Sequence, residues 1–277
     1  MKQKIKSIFT SATQKEIRSS QIIENGFCNE NYNINDAFVL RIPKDNADET
    51  LNYKHENIVY KTIEPLKISE KVVYFDENTG IKISKFVHNA RQYKTTPTNE
   101  QITYLAKTLK KLHSSKLKVP FGYQMFYRLS IYKKSLFEDE YIDTKIEKQI
   151  IKDVQKIFAK DEMVLCHNDL VQNNLLFKFN GLTLIDREYS GMNNFYFDLA
   201  SFISENNLND EQKEFFLSKY FGAKLNDLKR KKVNIFINFL DLLFYYWGLY
   251  YYRKRGDIIY KKIALEKLEH IKVNFPN

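Results

Sequence analysis

Hydrophobic and polar positions divide the chain into a strand-rich first part and a helix-rich remainder. Apolar residues alternate with polar ones over 21–42 and again over 71–87, which predicts antiparallel strands. The turn sequence Asn35-Asp36 divides the first of these stretches. A segment with helical character, 48–63, lies between the two stretches.

Helical spacing dominates the chain from Thr98 onward. Helices are predicted over 98–113, 123–159, 195–206, 210–220, 225–253 and 257–273. His113, which ends the first of these among apolar neighbours, is expected to pack or cap. With a short polar helix over 1–18, the pattern predicts an α/β (α+β) fold of two lobes. Residues 1–88 would form a small, β-rich lobe with one helix, and residues 89–277 a large, mainly helical lobe.

Three short apolar runs interrupt the helical pattern and are predicted to be strands. The first, 164–166, is followed by a polar loop, and the other two, 175–177 and 182–185, are joined by a turn at Gly181. That turn predicts a hairpin. The loop and the hairpin together present four polar residues: His167, Asp169, Asn174 and Asp186.

These polar residues have the spacing of a protein-kinase catalytic loop. Asp169 follows a histidine by two positions, Asn174 follows Asp169 by five, and Asp186 comes later. A carboxylate that orients and deprotonates a hydroxyl, with an amide oxygen and a second carboxylate for metal, is what Mg-dependent phosphoryl transfer requires. The five-residue spacing selects Asn174 over Asn173 as the metal ligand. The alternative is an ordinary polar turn with Asn and Asp as turn formers.

Composition and charge narrow the classes of function. The chain has 277 residues, of which 43% are hydrophobic, enough for a globular core. Its net charge of +10 comes from scattered lysines, often beside acidic residues, so a nucleic-acid-binding patch is not predicted. Cys28 and Cys166 are the only cysteines, and they form neither a disulfide framework nor a zinc motif.

Export and membrane segments are not predicted either. The charged residues 1–6 lack the apolar run that would follow them in a signal peptide. The nearly uncharged stretch 235–252 contains Asn238 and Asp241, which favours a buried, site-lining helix over a membrane span. We therefore expect a cytoplasmic protein.

The catalytic stretch resembles the signature of the choline/ethanolamine kinases, which share a kinase-like superfamily with the aminoglycoside phosphotransferases. The matching residues are Cys166-His167-Asn168-Asp169-Leu170 with Asn174, and Ile185-Asp186-Arg187-Glu188-Tyr189. Further similar segments are Phe197-Asp198-Leu199-Ala200 with Glu205, Tyr246-Trp247-Gly248-Leu249-Tyr250, and Gly256 with Tyr260. The resemblance covers about residues 20–265 and implies a protein-kinase-like fold with an ATP site between the lobes.

The resemblance also implies roles for individual residues. Asp169 would orient the substrate hydroxyl as the base, and Asn174 and Asp186 would hold the magnesium that bridges the ATP phosphates. Arg41 would take the place of the protein-kinase lysine, with Glu56 as its helix partner by position. The remaining nucleotide contacts would come from loop and hinge residues: Gly26, Asn29, Lys85, Phe86 and Val87.

A substrate pocket is implied near the C-terminal helices. Its residues would be Tyr189, Glu205, Trp247, Tyr250 and Tyr260. A quaternary ammonium cannot donate hydrogen bonds, so proteins hold it with aromatic faces and nearby carboxylates. Trp247 and Tyr250 are three apart on one helical face, and Glu205 would supply the counter-charge. The alternative is that these aromatic residues, in a chain that is 15% aromatic, only fill the core.

The predicted reaction is Mg-dependent transfer of the γ-phosphate of ATP to the hydroxyl of choline, giving phosphocholine and ADP. Ethanolamine and thiamine remain alternatives, whereas an aminoglycoside would require more carboxylates than the C-terminal helices carry. A non-catalytic pseudokinase is the alternative from another class. The chain departs from the family pattern at Arg187, where many relatives have Phe, and at Tyr250, where an aromatic residue, often Trp, is usual.

Overall fold

An antiparallel sheet of five strands forms the small lobe. The computed structural model describes residues 2–23, 29–44, 50–137 and 141–276. The small-lobe elements are α1 Lys2–Thr13, β1 Ser20–Ile23, β2 Asn29–Ile34, β3 Phe38–Pro43, α2 Tyr53–Ile63, β4 Val72–Phe75 and β5 Lys82–Lys85. The sheet has the order β1-β2-β3-β5-β4, and each neighbouring pair is antiparallel. The strands predicted over 21–42 and 71–87 and the helix within 48–63 are therefore confirmed.

The first helix belongs to the small-lobe core. Ile5 and Phe9 of α1 are buried, and the Phe9 ring packs edge-on against Phe38 with the centroids 5.4 Å apart. Burying a Phe side chain contributes roughly 1.5–3 kcal/mol. The short helix predicted within 1–18 is confirmed over Lys2–Thr13, and its buried apolar residues face the sheet.

The large lobe is mainly helical and contains two small sheets. Its helices are α3 Asn99–His113, α4 Met125–Tyr132, α5 Thr144–Phe158, α6 Phe195–Glu205, α7 Asp210–Phe221, α8 Asp227–Arg255 and α9 Ile258–Asn274. Its strands are β6 Val164–Cys166, β7 Leu175–Lys178, β8 Gly181–Leu184 and β9 Gly191–Asn193. The helical region predicted over 123–159 is two helices, since the chain becomes extended at Leu136 after α4. Residues 138–140 of that connection lie outside the described part.

Local capping sets the ends of the helices around the site. The Thr98 hydroxyl accepts a hydrogen bond from the Gln101 backbone N–H, and the Gln101 side chain accepts one from the Thr98 N–H. Asn226 caps α8 by accepting from the N–H of Lys229. Gly256 ends that helix with φ 72°, a left-handed conformation that glycine adopts without strain.

The predicted hairpin is confirmed as β7–β8, with Gly181 opening its second strand. It is joined to the small lobe, because the Leu184 N–H donates to the backbone O of Ile68 at 2.9 Å. Strand β6 pairs with β9 instead of with the hairpin. The polar loop 167–174 therefore runs between the two small sheets of the large lobe.

The long helix α8 is packed among the other helices of the large lobe. Phe239, Leu243 and Tyr246 on it are buried. Among the described residues, no helix has both the length and the apolar character that a membrane crossing needs. The prediction that 235–252 forms a buried helix is confirmed.

Candidate active site

The polar loop after β6 is anchored to the core through Asp198 of α6. This carboxylate is fully buried and accepts hydrogen bonds from the backbone N–H groups of His167 (2.8 Å) and Asn168 (2.7 Å). Its Oδ2 also lies 2.9 Å from Nε2 of His113, which is packed in the interior as expected. Burial alone raises the pKa of Asp198, but the hydrogen bonds from His113 and the backbone hold it below its usual value. An ionised carboxylate therefore fixes the loop.

His167 connects the loop to the end of the hairpin. Its Nε2 lies 3.0 Å from the backbone O of Ile185, the residue before Asp186. Burial, followed by the nearby Arg187 guanidinium, lowers the pKa of His167 to about 3. The imidazole is therefore neutral at pH 7, with its Nε2 proton directed to Ile185.

Asp169 and Asn174 are brought together by the short turn between them. The Asn174 amide donates to Oδ2 of Asp169 at 2.8 Å and to its backbone O at 3.0 Å. Burial and the charge of Asp186 raise the pKa of Asp169 to about 7, against the opposing hydrogen bond from Asn174. A carboxyl group with a pKa near neutrality is well matched to accept a proton from a hydroxyl.

Asp186 and Glu188 add two carboxylates beside Asp169. Asp186 has a left-handed backbone conformation, with φ 62°, directly after the hairpin. Burial raises the pKa of Asp186, and burial together with the Asp186 charge raises the pKa of Glu188 well above its usual value. Glu188 is not among the residues predicted for the site. Its position two residues after Asp186 is the sequence signal that could have identified it.

The oxygen donors of this cluster fit a magnesium ion. Asn174 offers an amide oxygen, and Asp186 and Glu188 offer carboxylates, the hard ligands that Mg²⁺ prefers. Neighbouring like charges disfavour ionisation, and a bound divalent cation reverses that effect. The chemistry of the donor set therefore suits the predicted metal.

Arg41 of β3 joins the small lobe to the carboxylates beside Asp169. Its guanidinium makes a two-pronged ion pair with Glu56 of α2, at 2.6 and 2.7 Å, and both side chains are buried. It also donates to the backbone O of Gly80 at 3.0 Å and lies 3.4 Å from Oδ1 of Asp186. Burial alone lowers the pKa of Arg41, but Glu56 and Asp186 raise it above its usual value. The predicted contact between Arg41 and Glu56 is confirmed.

A second buried cation, Lys82 of β5, stands beside this pair. Its ammonium lies 3.5 Å from Glu56 and 3.1 Å from Glu70, and it donates to the Tyr60 hydroxyl at 2.6 Å. Lys82 is opposite Arg41 in the sheet register. Glu56 is therefore held by two cations, of which the sequence identified one.

The remaining predicted nucleotide residues are spread over the small lobe. Gly26 lies outside the described residues, whereas Asn29 donates to Glu188 at 3.2 Å. The hinge prediction concerns three residues at and after the end of β5: Lys85, Phe86 and Val87. The Phe86 N–H donates to the backbone O of Ala37 at 2.9 Å, which fixes the chain where it leaves the sheet. Contact between these residues and a nucleotide stays a prediction.

A cavity of about 390 Å³ joins the carboxylate cluster to an aromatic wall, which is formed by Tyr189 and Trp247. Asp169, Asp186 and Glu188 line one end of it. Three of the five predicted substrate residues also line it: Tyr189, Glu205 and Trp247. Its volume is in the range of small-molecule sites.

Tyr250 and Tyr260, also predicted as substrate residues, pack behind the cavity wall. Tyr260 is 2% exposed, and its ring centroid is 5.3 Å from that of Trp247. The helices α8 and α9 approach closely here, since a Cβ on Gly248 would come within 2.6 Å of the backbone O of Tyr260. The Tyr250 ring packs on Tyr132 at 5.6 Å. Neither ring lines the cavity, so these two tyrosines support the wall instead of forming it.

Glu205 reaches the cavity with its charge already paired. Lys267 of α9, another lining residue, lies 2.7 Å from Glu205 and 3.4 Å from Asp241, and donates to the Ser204 hydroxyl at 2.8 Å. Burial alone lowers the pKa of Lys267, but Glu205 and Asp241 raise it above its usual value. Three acceptors thus match the three donors of this ammonium. The sequence predicted Glu205 as a counter-charge and did not identify its partner.

Tyr123 is a cavity-lining residue that sequence reasoning missed. It lies just before α4, and its ring stands edge to face with that of Tyr189, with the centroids 6.3 Å apart. Its N–H donates to the backbone O of Met192 at 3.1 Å. The backbone segments that contain Tyr123 and Gly191 approach closely, since a Cβ on Gly191 would lie 3.3 Å from the Tyr123 nitrogen. No local pattern connects Tyr123 with the catalytic loop, so only the fold reveals it.

Comparisons with known proteins identify relatives of this chain. The sequence model of the choline/ethanolamine kinase family matches residues 17–240. The protein LicA of Haemophilus influenzae is 28% identical over 228 residues, which cover 78% of this chain and 66% of LicA. The chain thus spans somewhat less than two thirds of the length of that relative.

Solved structures share the fold over nearly the whole chain. The choline kinase LicA from Streptococcus pneumoniae has a TM-score of 0.83 at 20% identity, covering 99% of both chains. The ADP-bound aminoglycoside phosphotransferase APH(2'')-Ib has a TM-score of 0.68 at 18% identity, covering 98% of this chain and 97% of that one. The predicted kinase-like fold, with a small sheet lobe and a larger helical lobe, is confirmed.

Proposed function

We propose that this chain, which belongs to the choline/ethanolamine kinase family and is a phosphotransferase acting on an alcohol, phosphorylates choline. The reaction would transfer the γ-phosphate of ATP to the choline hydroxyl with Mg²⁺ present, giving phosphocholine and ADP. The cavity carries the proposal, because it joins Asp169 to the wall formed by Tyr189 and Trp247. Since ATP is the donor, a cytoplasmic location is part of the proposal.

Asp169 would accept the proton of the choline hydroxyl. Its raised pKa, about 7, makes it a stronger base than an exposed aspartate. Asn174 holds one carboxylate oxygen at 2.8 Å, which fixes the direction of the other toward the acceptor. Most of the catalytic effect would come from holding the hydroxyl in line with the phosphate, since phosphoryl transfer requires little covalent chemistry from the protein.

The charge of the phosphates would be met from both lobes. Asn174, Asp186 and Glu188 would hold Mg²⁺, which neutralises phosphate charge when bound. Arg41 would add a cation whose position is fixed by its two-pronged pair with Glu56. Because that pair is buried, the guanidinium needs little reorganisation during the reaction.

The aromatic wall supports a quaternary ammonium as the cation of the acceptor. A ring face contributes roughly 0.5–2 kcal/mol to binding a cation, with the larger values at desolvated sites. A primary ammonium also needs hydrogen-bond acceptors, and Glu205 is already paired with Lys267 at 2.7 Å. These contacts favour choline over ethanolamine.

Ethanolamine is the second candidate because of one further carboxylate. Glu266 lies at the exposed edge of the cavity and could accept a hydrogen bond from a primary ammonium. An aminoglycoside is disfavoured as the acceptor. Its several ammonium groups would each need a carboxylate partner, and the carboxylate Glu205 in this part of the cavity is already paired with Lys267.

An ADP-release assay across choline, ethanolamine, thiamine and kanamycin tests the proposal. With Mg²⁺ and ATP, we expect kcat/KM for choline to exceed that for ethanolamine by about tenfold, the effect of about 1.4 kcal/mol of wall contacts. A higher kcat/KM for ethanolamine would replace choline as the acceptor. No turnover of any alcohol would favour a nucleotide-binding pseudokinase. The variant Asp169→Asn, purified in parallel, controls for contaminating kinases.

A further inference from the structure

Arg128 of α4 is buried behind two rings of the cavity. Its guanidinium carbon lies 4.7 Å from the ring centroid of Tyr123 and 4.9 Å from that of Tyr189. We call these two rings the tyrosine wall. Arg128 is 8% exposed and does not itself line the cavity, whereas both tyrosines do. A planar guanidinium shared by two rings stabilises their relative orientation through cation–π and stacking contacts.

Hydrogen bonds fix this guanidinium in both lobes. Its Nε donates to the backbone O of Tyr123 at 3.0 Å. Its two other nitrogens donate to Thr50, one to the side-chain Oγ1 and the other to the backbone O at 3.4 Å. Thr50 precedes α2, the helix whose Glu56 holds Arg41. One side chain therefore links the tyrosine wall to the segment that leads into the nucleotide lobe's helix.

We propose that Arg128 is a positioning residue for the acceptor alcohol. It holds the tyrosine wall in the orientation that meets a cationic substrate and ties that wall to the small lobe at Thr50. The inference rests on the proposed function, since it requires a cationic acceptor in the cavity. A lysine could keep the charge but has no planar fork to reach Tyr123 and Thr50 together.

The role predicts a selective effect on the alcohol. Without the fork, the rings of the tyrosine wall would populate more orientations, and binding would have to order them. The nucleotide side would keep the Arg41–Glu56 pair, which does not involve Arg128. We therefore expect weaker choline binding with nearly unchanged ATP binding.

Trp247 provides a direct measure of choline binding. It is the only tryptophan of the chain and lines the same cavity, so its fluorescence can report the Kd of choline without turnover. For Arg128→Met we expect the choline Kd and KM to rise about tenfold, with the KM of ATP within about twofold of wild type. The choline Kd and KM of Arg128→Lys should fall between those of the wild type and those of Arg128→Met. The matched control is Arg230→Met, which removes a half-exposed ion pair with Glu214. It should leave the choline Kd, the choline KM and the ATP KM unchanged.

A second variant tests the link to the small lobe. Thr50→Val removes the hydroxyl acceptor and should raise the choline Kd by a smaller factor. Added to Arg128→Met, it should have no further effect, because both changes break the same contact. Urea unfolding of each variant checks that the fold is retained.

The outcomes separate this inference from the proposed function. An unchanged choline Kd in Arg128→Met would refute the positioning role. So would equal rises in the KM of ATP and of choline, which would indicate a general structural effect. A wild-type protein that binds and phosphorylates no choline would refute the proposed function itself, before any variant is compared.

Discussion

The charge on Asp169 is expected to reduce the stability of the folded protein at neutral pH and above. The pKa of this carboxyl is raised from 3.8 to about 7, first by burial and then by Asp186. Raising the pKa by this amount corresponds to about 4 kcal/mol of stability lost when the carboxyl ionises, at about 1.4 kcal/mol for each tenfold change in proton affinity. Asp169 is partly solvated, which reduces this loss. We therefore expect Asp169→Asn to raise the free energy of unfolding by about 1–3 kcal/mol at neutral pH and above. The new amide can still accept the hydrogen bond from Asn174.

The sign of the effect follows from proton binding. Between about pH 4 and pH 7, the folded state retains a proton on Asp169 that the unfolded chain has released. The stabilising contribution of the neutral carboxyl is therefore complete below about pH 4 and is lost as the pH rises through about 7. The variant has no such loss. Near pH 4 the two proteins should differ little, and at pH 8 the variant should be more stable by about 1–3 kcal/mol.

Urea unfolding at several pH values, without metal or nucleotide, measures this difference directly. Other titrating groups are common to both proteins, so their contributions cancel in the comparison. Added Mg²⁺ should reduce the difference, since a cation offsets the repulsion among the carboxylates. A difference that stays constant from pH 4 to pH 8, or a variant that is less stable at pH 8, would refute the reasoning. The variant should also lose at least about a hundredfold in kcat.

Three further substitutions probe the other parts of the site. Trp247→Ala should raise the KM of choline about tenfold and that of ATP by less than about twofold; an equal effect on both would indicate a structural tryptophan. Arg41→Lys should lower kcat/KM for ATP by about tenfold or more, since lysine cannot reproduce the two-pronged pair with Glu56; wild-type kinetics would exclude the role of Arg41 in phosphate binding. Glu188→Gln should raise the Mg²⁺ concentration for half-maximal rate several-fold, a loss of about 1 kcal/mol or more of Mg²⁺ binding free energy, at an unchanged choline KM. An unaltered Mg²⁺ dependence would exclude Glu188 as a metal ligand.

The proximity of the polar residues at the carboxylate end of the candidate site could be predicted from the sequence because its geometry is local. Asp169, Asn174 and Asp186 lie on one loop and one hairpin, so their spacing along the chain determines their arrangement in space. The pairing of Arg41 with Glu56 was implied by the family resemblance, and the strand and the following helix bring the two side chains into contact. Only their contact is established, and their use in catalysis stays a prediction.

The aromatic end of the cavity could be predicted only in part because it is assembled from distant segments. Trp247 was identified from an aromatic helix, but helical spacing alone could not show that Tyr260 packs behind it at the close approach of α8 and α9. The sequence around Tyr123 and Arg128 contains no motif that marks a binding site. Only tertiary packing brings these two residues next to Tyr189. Lys267 was missed because a lysine on a helix is usually solvated, whereas here three acceptors surround it.

The hydrogen bonds of Asp198 restrict the motion of the polar loop 167–174. Loops that carry function usually open and exchange their amide protons readily. The amides of His167 and Asn168 instead donate to a carboxylate inside the large lobe, and opening them would remove two of the hydrogen bonds that stabilise this buried charge. These two amides should therefore exchange with solvent as slowly as those of the surrounding helices. The start of the polar loop should therefore open only when the surrounding part of the large lobe unfolds.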